Sequence, residues 1–390
     1  MQSPIILFMK VCLLALALLV AVQGIHQTDQ NDLMRFHYSI HRGEEETVTS
    51  SSFNHNGSYM LYGSKVNDTY HHLHAYSWIL RVSLKIPEMF HRDHITGIEF
   101  GRNSQRVYTG SEDGTVKIWS NTDDNFPLIR TLYAPGEVYK FIINSAETRL
   151  VTVGNAINGK AKIAVFNLDT YKRIDDGDLY HTDDIFAADF NKIDTDIFAT
   201  GSDDGTVAFW NVRSLRKLKQ YNVRNFWTDR YDESEKDLAV KVVAFNPNSE
   251  ELAYAVDTIE LNEHNNFGII YENGNVRYEG HVEGLITSMK WSPEGVRLII
   301  GTTFLISNFL VVLDPYKDIL YNVFYSNHFM GGLDVSHDGS VIVIDGINEF
   351  TLLRVKYSCE DVRYSTSEEE LFECPCRRYY EWSAKRIGCF

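Results

Sequence analysis

Two sets of side chains in this sequence have the makings of chemistry. His91, Thr109 and Asp113 supply a base, a hydroxyl and an acid, and His181, Thr200 and Asp204 supply the same three types about ninety residues later. A hydroxyl activated by a His that an Asp orients is the logic of a nucleophile. Each set, however, comes with a Trp, at Trp119 and Trp210. An indole N–H hidden in a packed sheet needs an acceptor, which a Thr hydroxyl can supply while donating onward to His. The Asp then takes the other ring nitrogen. On that reading each set is a buried tetrad holding strands together. Each bond is worth about 1 kcal/mol net and each orphaned partner costs about 1 to 3 kcal/mol. No catalytic part is implied.

Other clusters are weaker. His71, His72 and His74 could ligate a metal, yet they read as a polar loop beside a glycosylation sequon with no obvious carboxylate partner. The acidic turns Glu112-Asp113-Gly114 and Asp203-Asp204-Gly205 could suggest calcium, but Asp113 and Asp204 already belong to the tetrads. No hydrolase elbow, Walker loop, dinucleotide glycine motif or zinc-protease helix occurs. The expectation is no catalytic residue, no metal and no cofactor.

The elements that must position the tetrads are legible. Residues 108–119 read as a strand ending at Thr109, an Asp-Gly turn and a second strand with alternating apolar residues that ends in Trp119, and residues 199–210 repeat this to Trp210. Upstream, His91 lies nine residues before Phe100, and His181 nine before Phe190. This pattern resembles the WD-repeat family of β-propellers. The resemblance implies tetrads of His91, Thr109, Asp113 and Trp119 and of His181, Thr200, Asp204 and Trp210.

Units of about 43 residues extend this rhythm from Glu44 to Lys356, which fits an all-β, seven-bladed propeller of four-stranded blades. Val48 to Phe53, Tyr59 to Tyr62, Tyr76 to Val82 and Leu84 to Phe90 make the expected first blade. In the degenerate third, Phe166 stands where Trp would be and Ala161 to Phe166 is one strand. The last unit is one strand short, and residues 33–40 could supply it, as WD-repeat propellers commonly close.

With 390 residues, 44% of them hydrophobic and 13% aromatic, the chain has ample length for a large core, and a net charge of −16 argues against an extended nucleic-acid-binding face. Residues 1–24 look like a secretory signal peptide: Lys10, then an apolar run from Val11 to Val22, then Val22-Gln23-Gly24 as a cleavage site. An uncleaved membrane anchor is the alternative; either way residues 25–356 should be secreted or lumenal. The Cys-rich tail, 357–390, holds Cys359, Cys374, Cys376 and Cys389, an even number in an oxidising route and hence two disulfides, since the spacing lacks paired zinc knuckles. Asn56 and Asn67 head two N-glycosylation sequons.

Two connections are long. Residues 257–266 form one hairpin loop, and the other joins the fourth and fifth blades and holds Arg224, Phe226, Trp227, Arg230 and Tyr231 before an acidic run. Trp, Tyr and Arg concentrate binding energy at interfaces, so this loop is the expected contact for a protein partner. The competing reading has Trp227 and Tyr231 folding back over blade five. The expected function is a protein-interaction scaffold; the rival is a propeller enzyme or small-ligand binder that uses the central channel.

Overall fold

The computed structural model describes residues 38–354, apart from 42–46, 55–58, 68–69, 78–81, 123–125, 176–178, 227–237, 258–265, 283, 305–306, 327–329, 337–338, 340 and 347–348. The leader read at 1–24, the tail with its four cysteines, Asn56, Trp227, Arg230 and Tyr231 lie outside the described residues. So does the middle of the 257–266 loop.

Among the described residues the chain forms seven four-stranded antiparallel sheets, each a meander of consecutive strands except the third, which one short strand interrupts, and the last. Their innermost strands are Thr47–Phe53, Ile95–Phe100, Val138–Ile143, Ile185–Phe190, Ala239–Phe245, Leu285–Trp291 and Met330–Val335. Each packs beside the next, and Met330–Val335 packs beside Thr47–Phe53. The arrangement is that of a β-propeller. Tyr38–His41 is the outermost strand of the last sheet, pairing antiparallel with Glu349–Arg354, Tyr38 opposite Leu352 and His41 opposite Glu349. No helix among the described residues is long and apolar enough to cross a membrane.

The core lies between sheets. Phe190, Phe198 and Trp210 of the fourth sheet share a buried cluster with Val151 and Val165 of the third. Phe209, on the opposite face of the fourth sheet, joins Phe245, Leu252 and Tyr254 of the fifth. A sheet buried on both faces loses the apolar-polar alternation of a one-sided sheet, and the strand Thr206–Asn211 is accordingly buried at five successive positions. The Asp-Gly turns that open such strands use glycine for its backbone freedom: Gly114 and Gly205 have φ of 78° and 77°.

Two sequence expectations need correction. In the first sheet the second strand runs Met60–Asn67 and the third Tyr70–Ser77, with the fourth at Val82–His91. The stretch read as a solvated His-rich loop is therefore strand, and of the strand expected from Tyr76 to Val82, Tyr76 and Ser77 end the third strand while Val82 opens the fourth. The polar side chains turned inward satisfy one another: Ser64 Oγ lies 2.8 Å from His74 Nε2, and the His74 ring stacks on Tyr62 at 5.0 Å. A strand that buries polar pairs carries no hydrophobic signal to read. In the third sheet the expected strand from Ala161 to Phe166 is split. Ala161–Lys162 pairs with Tyr180–His181, and only Ala164–Asn167 continues the sheet.

Candidate functional site

Both tetrads are assembled. His91 Nδ1 lies 3.0 Å from Asp113 Oδ2, and its Nε2 lies 2.7 Å from Thr109 Oγ1, which accepts the Trp119 indole N–H at 2.9 Å. In the fourth sheet the corresponding distances are 2.9, 2.7 and 2.8 Å for His181, Thr200, Asp204 and Trp210. A Thr hydroxyl that accepts from Trp must donate to His Nε2, which leaves Nδ1–H to donate to the Asp. Burial holds the His91 imidazole below its ordinary value, favouring this neutral form, although Asp113 opposes the shift. Burial alone would raise Asp113 and Asp204. The hydrogen bond from the neighbouring His, with the hydroxyl of Thr115 or Thr206 and the N–H of Arg92 or Thr182, holds both carboxyls far below the carboxylate range. Each hydroxyl is spent inside the network, so none is a nucleophile aimed at solvent. The tetrads instead pin the connections that precede each innermost strand.

Those connections share a face with a feature the sequence did not announce. All seven innermost strands carry an irregularity at the same place, where one residue is skipped in the pairing with the second strand. Such a bulge re-aims the side chain of the extra residue. In four consecutive sheets that residue is Thr96, Tyr139, Phe186 and Lys241. Their side chains line the central channel at the end nearest the tetrads. They form one continuous arc. Thr96 Oγ1 donates to the Val138 carbonyl at 2.7 Å, the Tyr139 and Phe186 rings stack at 4.9 Å and 15°, and Lys241 Nζ sits 3.7 Å over the Phe186 ring while bonding Asp203 at 2.7 Å. All four are half-buried. Tyr139 donates to Glu137 at 3.0 Å, and burial together with that carboxylate raises its phenol. Burial also raises Asp203, against the pull of Lys241. The arc is an apolar and cationic shelf with an acidic rim.

Below the shelf the channel, about 1080 Å³, carries a charged belt of Glu99, Lys140, Asp189, Lys290 and Asp334. The two aspartates act as latches between sheets: Asp189 accepts from the Phe245 N–H at 2.9 Å and Asp334 from the Phe53 N–H at 3.2 Å. Burial raises the Glu99 carboxyl and lowers the Lys140 ammonium. Lys290 lies deep in the molecule but faces channel water, its side chain 48% exposed. Burial would lower it, and Asp334, Asp189 and Glu99 outweigh that and raise it. Among the described residues that line the channel there is no His or Cys.

The expected contact loop is only partly described. Val223–Phe226 forms a turn of 3-10 helix. Phe226 packs on Tyr221 and Tyr254, both at 5.9 Å, against the core between the fourth and fifth sheets, and Arg224 is half-buried beside it. The other three residues of that expectation lie outside the described residues. Asn67 ends the strand Met60–Asn67, opposite Tyr70. The residues that sequence reading missed, Tyr139, Phe186 and Lys241, did leave a faint signal: each is a large or cationic side chain at the second or third position of an innermost strand, directly after an apolar residue.

Two stretches, 87–120 and 179–211, match the model of the WD domain, G-beta repeat, and they cover the two tetrad-bearing sheets up to the tetrad Trp or just past it. The chain carries two WD repeats. It is 28% identical over 139 residues to an uncharacterized WD repeat-containing protein of Schizosaccharomyces pombe, a match covering 34% of this chain and 25% of the relative. It is 23% identical over 137 residues to DDB1- and CUL4-associated factor 5 of Homo sapiens (34% and 14% covered). It is 26% identical over 143 residues to the guanine nucleotide-binding protein subunit beta-like protein of Encephalitozoon cuniculi (35% and 40%). The chain thus spans well under half the length of these relatives in each match.

Proposed function

We propose that this chain is a protein-interaction scaffold, a seven-bladed propeller that takes its partner on the face carrying the bulged strands and the connections between sheets. The observation that carries the proposal is the arc from Tyr139 through Phe186 to Lys241. Half-buried aromatic and cationic side chains on rigid strands concentrate binding energy at little entropic cost. The acidic rim and the net charge of −16 favour a partner segment that presents basic and apolar side chains together. A relative named as a DDB1- and CUL4-associated factor supports a scaffold over an enzyme. The expected contact loop belongs to the same proposal: Arg224 and Phe226 begin the connection between the fourth and fifth sheets, and Trp227, Arg230 and Tyr231, which lie outside the described residues, are proposed with them on sequence alone. The channel, whose aspartates are engaged in holding sheets together, is part of the scaffold in this reading, with no reaction and no cofactor.

The compartment belongs to the proposal too: cleavage near Ile25, a secreted or lumenal body, glycans on Asn56 and Asn67, and two disulfides among Cys359, Cys374, Cys376 and Cys389. Non-reducing mass mapping of protein collected from medium should find an N-terminus at about residue 25 and no free thiol; four free thiols would refute it. Affinity capture with crosslinking should place partner crosslinks on Lys241. Crosslinks confined to the opposite end of the channel would overturn the assignment of the face.

A further inference from the structure

The three histidines that the sequence offered as a metal cluster do not act together, since His74 is paired with Ser64. One of them meets different partners. In the first sheet His71 lies directly opposite His91, which places it beside the connection that leaves His91 for the second sheet. There it meets Asp93 and His94, and ligand atoms of the three residues lie within 4.8 Å of one another. The His71 and His94 rings are 4.6 Å apart, tilted at 58°. We propose that His71, Asp93 and His94 form a binding site for a divalent transition metal of the zinc type.

The donor set suits that ion. Two imidazoles and one carboxylate are the ligands of three-residue zinc sites that keep a fourth position open, whereas calcium and magnesium take oxygen ligands throughout. Tetrahedral zinc with bonds of about 2.0 to 2.1 Å needs its ligand atoms about 3.3 Å apart. His71 is fixed by burial, so rotation of the exposed Asp93 and the half-buried His94 closes the remaining distance.

The surroundings hold the backbone of the connection in place. Ser111 Oγ donates to the Asp93 carbonyl at 3.1 Å, and the Glu112 N–H donates to the His94 carbonyl at 3.0 Å. The Asp93 Oδ1 atom accepts the His94 N–H at 2.8 Å, which orients the carboxylate and leaves Oδ2 for the ion. Outer partners of this kind are what fix ligands around a metal.

The test uses the full chain after treatment with a chelator. Zinc chloride titrated calorimetrically should bind at the site and raise the thermal midpoint, because an ion that binds only the folded state stabilises it by mass action. His94→Ala and Asp93→Asn each should weaken that binding by at least about 100-fold, the upper cost of losing even an outer partner, while the midpoint without zinc stays at the wild-type value, which shows that the variants fold. Cobalt in place of zinc separates this site from the cysteine tail: visible d–d bands without near-ultraviolet thiolate charge transfer, lost in His94→Ala, are expected. Equal zinc affinity in wild type and His94→Ala, a cobalt spectrum of thiolate type unchanged by that substitution, or no binding heat in the wild type would each overturn the proposal.

Discussion

The second and fourth sheets differ from the third in one respect that separates what builds a blade from what reinforces it. In the fourth sheet Thr200 sits between Trp210 and His181, and every polar atom of the set has a partner. In the third sheet Thr152 occupies the same register, four residues before Ala156 where the tetrads have Asp113 and Asp204. Ala134 stands four residues before the innermost strand, where the other sheets have His. Phe166, paired opposite Leu150 as Trp210 is opposite Phe198, has no N–H to give. The Thr152 hydroxyl is buried without a partner, and a cavity of about 180 Å³ bounded by Ala134, Thr152 and Asn155 lies beside it. Yet the third sheet keeps its four strands and its packing on both neighbours. Apolar burial therefore suffices to form a blade, and the tetrad adds specificity and hold.

That contrast can be broken at either end. Trp210→Ala removes the largest fully buried side chain of the fourth sheet together with its indole bond, and should cost about 3 to 5 kcal/mol in denaturant unfolding. Thr200→Val keeps the shape but orphans the Trp210 N–H and His181 Nε2, and should cost about 2 kcal/mol. Thr152→Val makes the same change where the hydroxyl has nothing to lose and should be neutral or stabilising by about 1 kcal/mol. If the two Thr→Val variants shift stability in the same direction and amount, the tetrad contributes nothing beyond packing. The smallest effect is with pH. Asp204 is held below its ordinary 3.8, so its contribution is present above about that pH and is lost as the pH falls through the lower folded-state value. Acid unfolding of Asp204→Asn should therefore be flatter below pH 4 than that of the wild type, with lower stability at neutral pH.

The repeated hairpins were legible because Asp-Gly turns and terminal Trp residues are local signals, and their spacing picks out all eight residues that the structure joins in tetrads. Most other strands followed from apolar alternation in units of constant length. Three kinds of feature were not legible. The strand Tyr70–Ser77 was hidden because buried His71 and His74 interrupt its apolar residues, and His74 finds its partner, Ser64, on the neighbouring strand. The site at His71 was hidden because its carboxylate, Asp93, comes from a connection 22 residues downstream and meets it only through strand register. The arc of Tyr139, Phe186 and Lys241 was hidden because a bulge turns these side chains, and a bulge is a departure from the alternation used to read a strand.

The central claim is that the bulge arc binds a protein, and Phe186→Ala tests it most directly. On the captured partner, the dissociation constant and the thermal midpoint should be measured together for wild type and variant. Phe186 is half-buried at the channel mouth, so its loss should weaken binding by about 30-fold, or 2 kcal/mol, with a midpoint close to the wild-type value. An unchanged dissociation constant would contradict the claim, and an unchanged constant with a lowered midpoint would show that the arc serves the propeller alone.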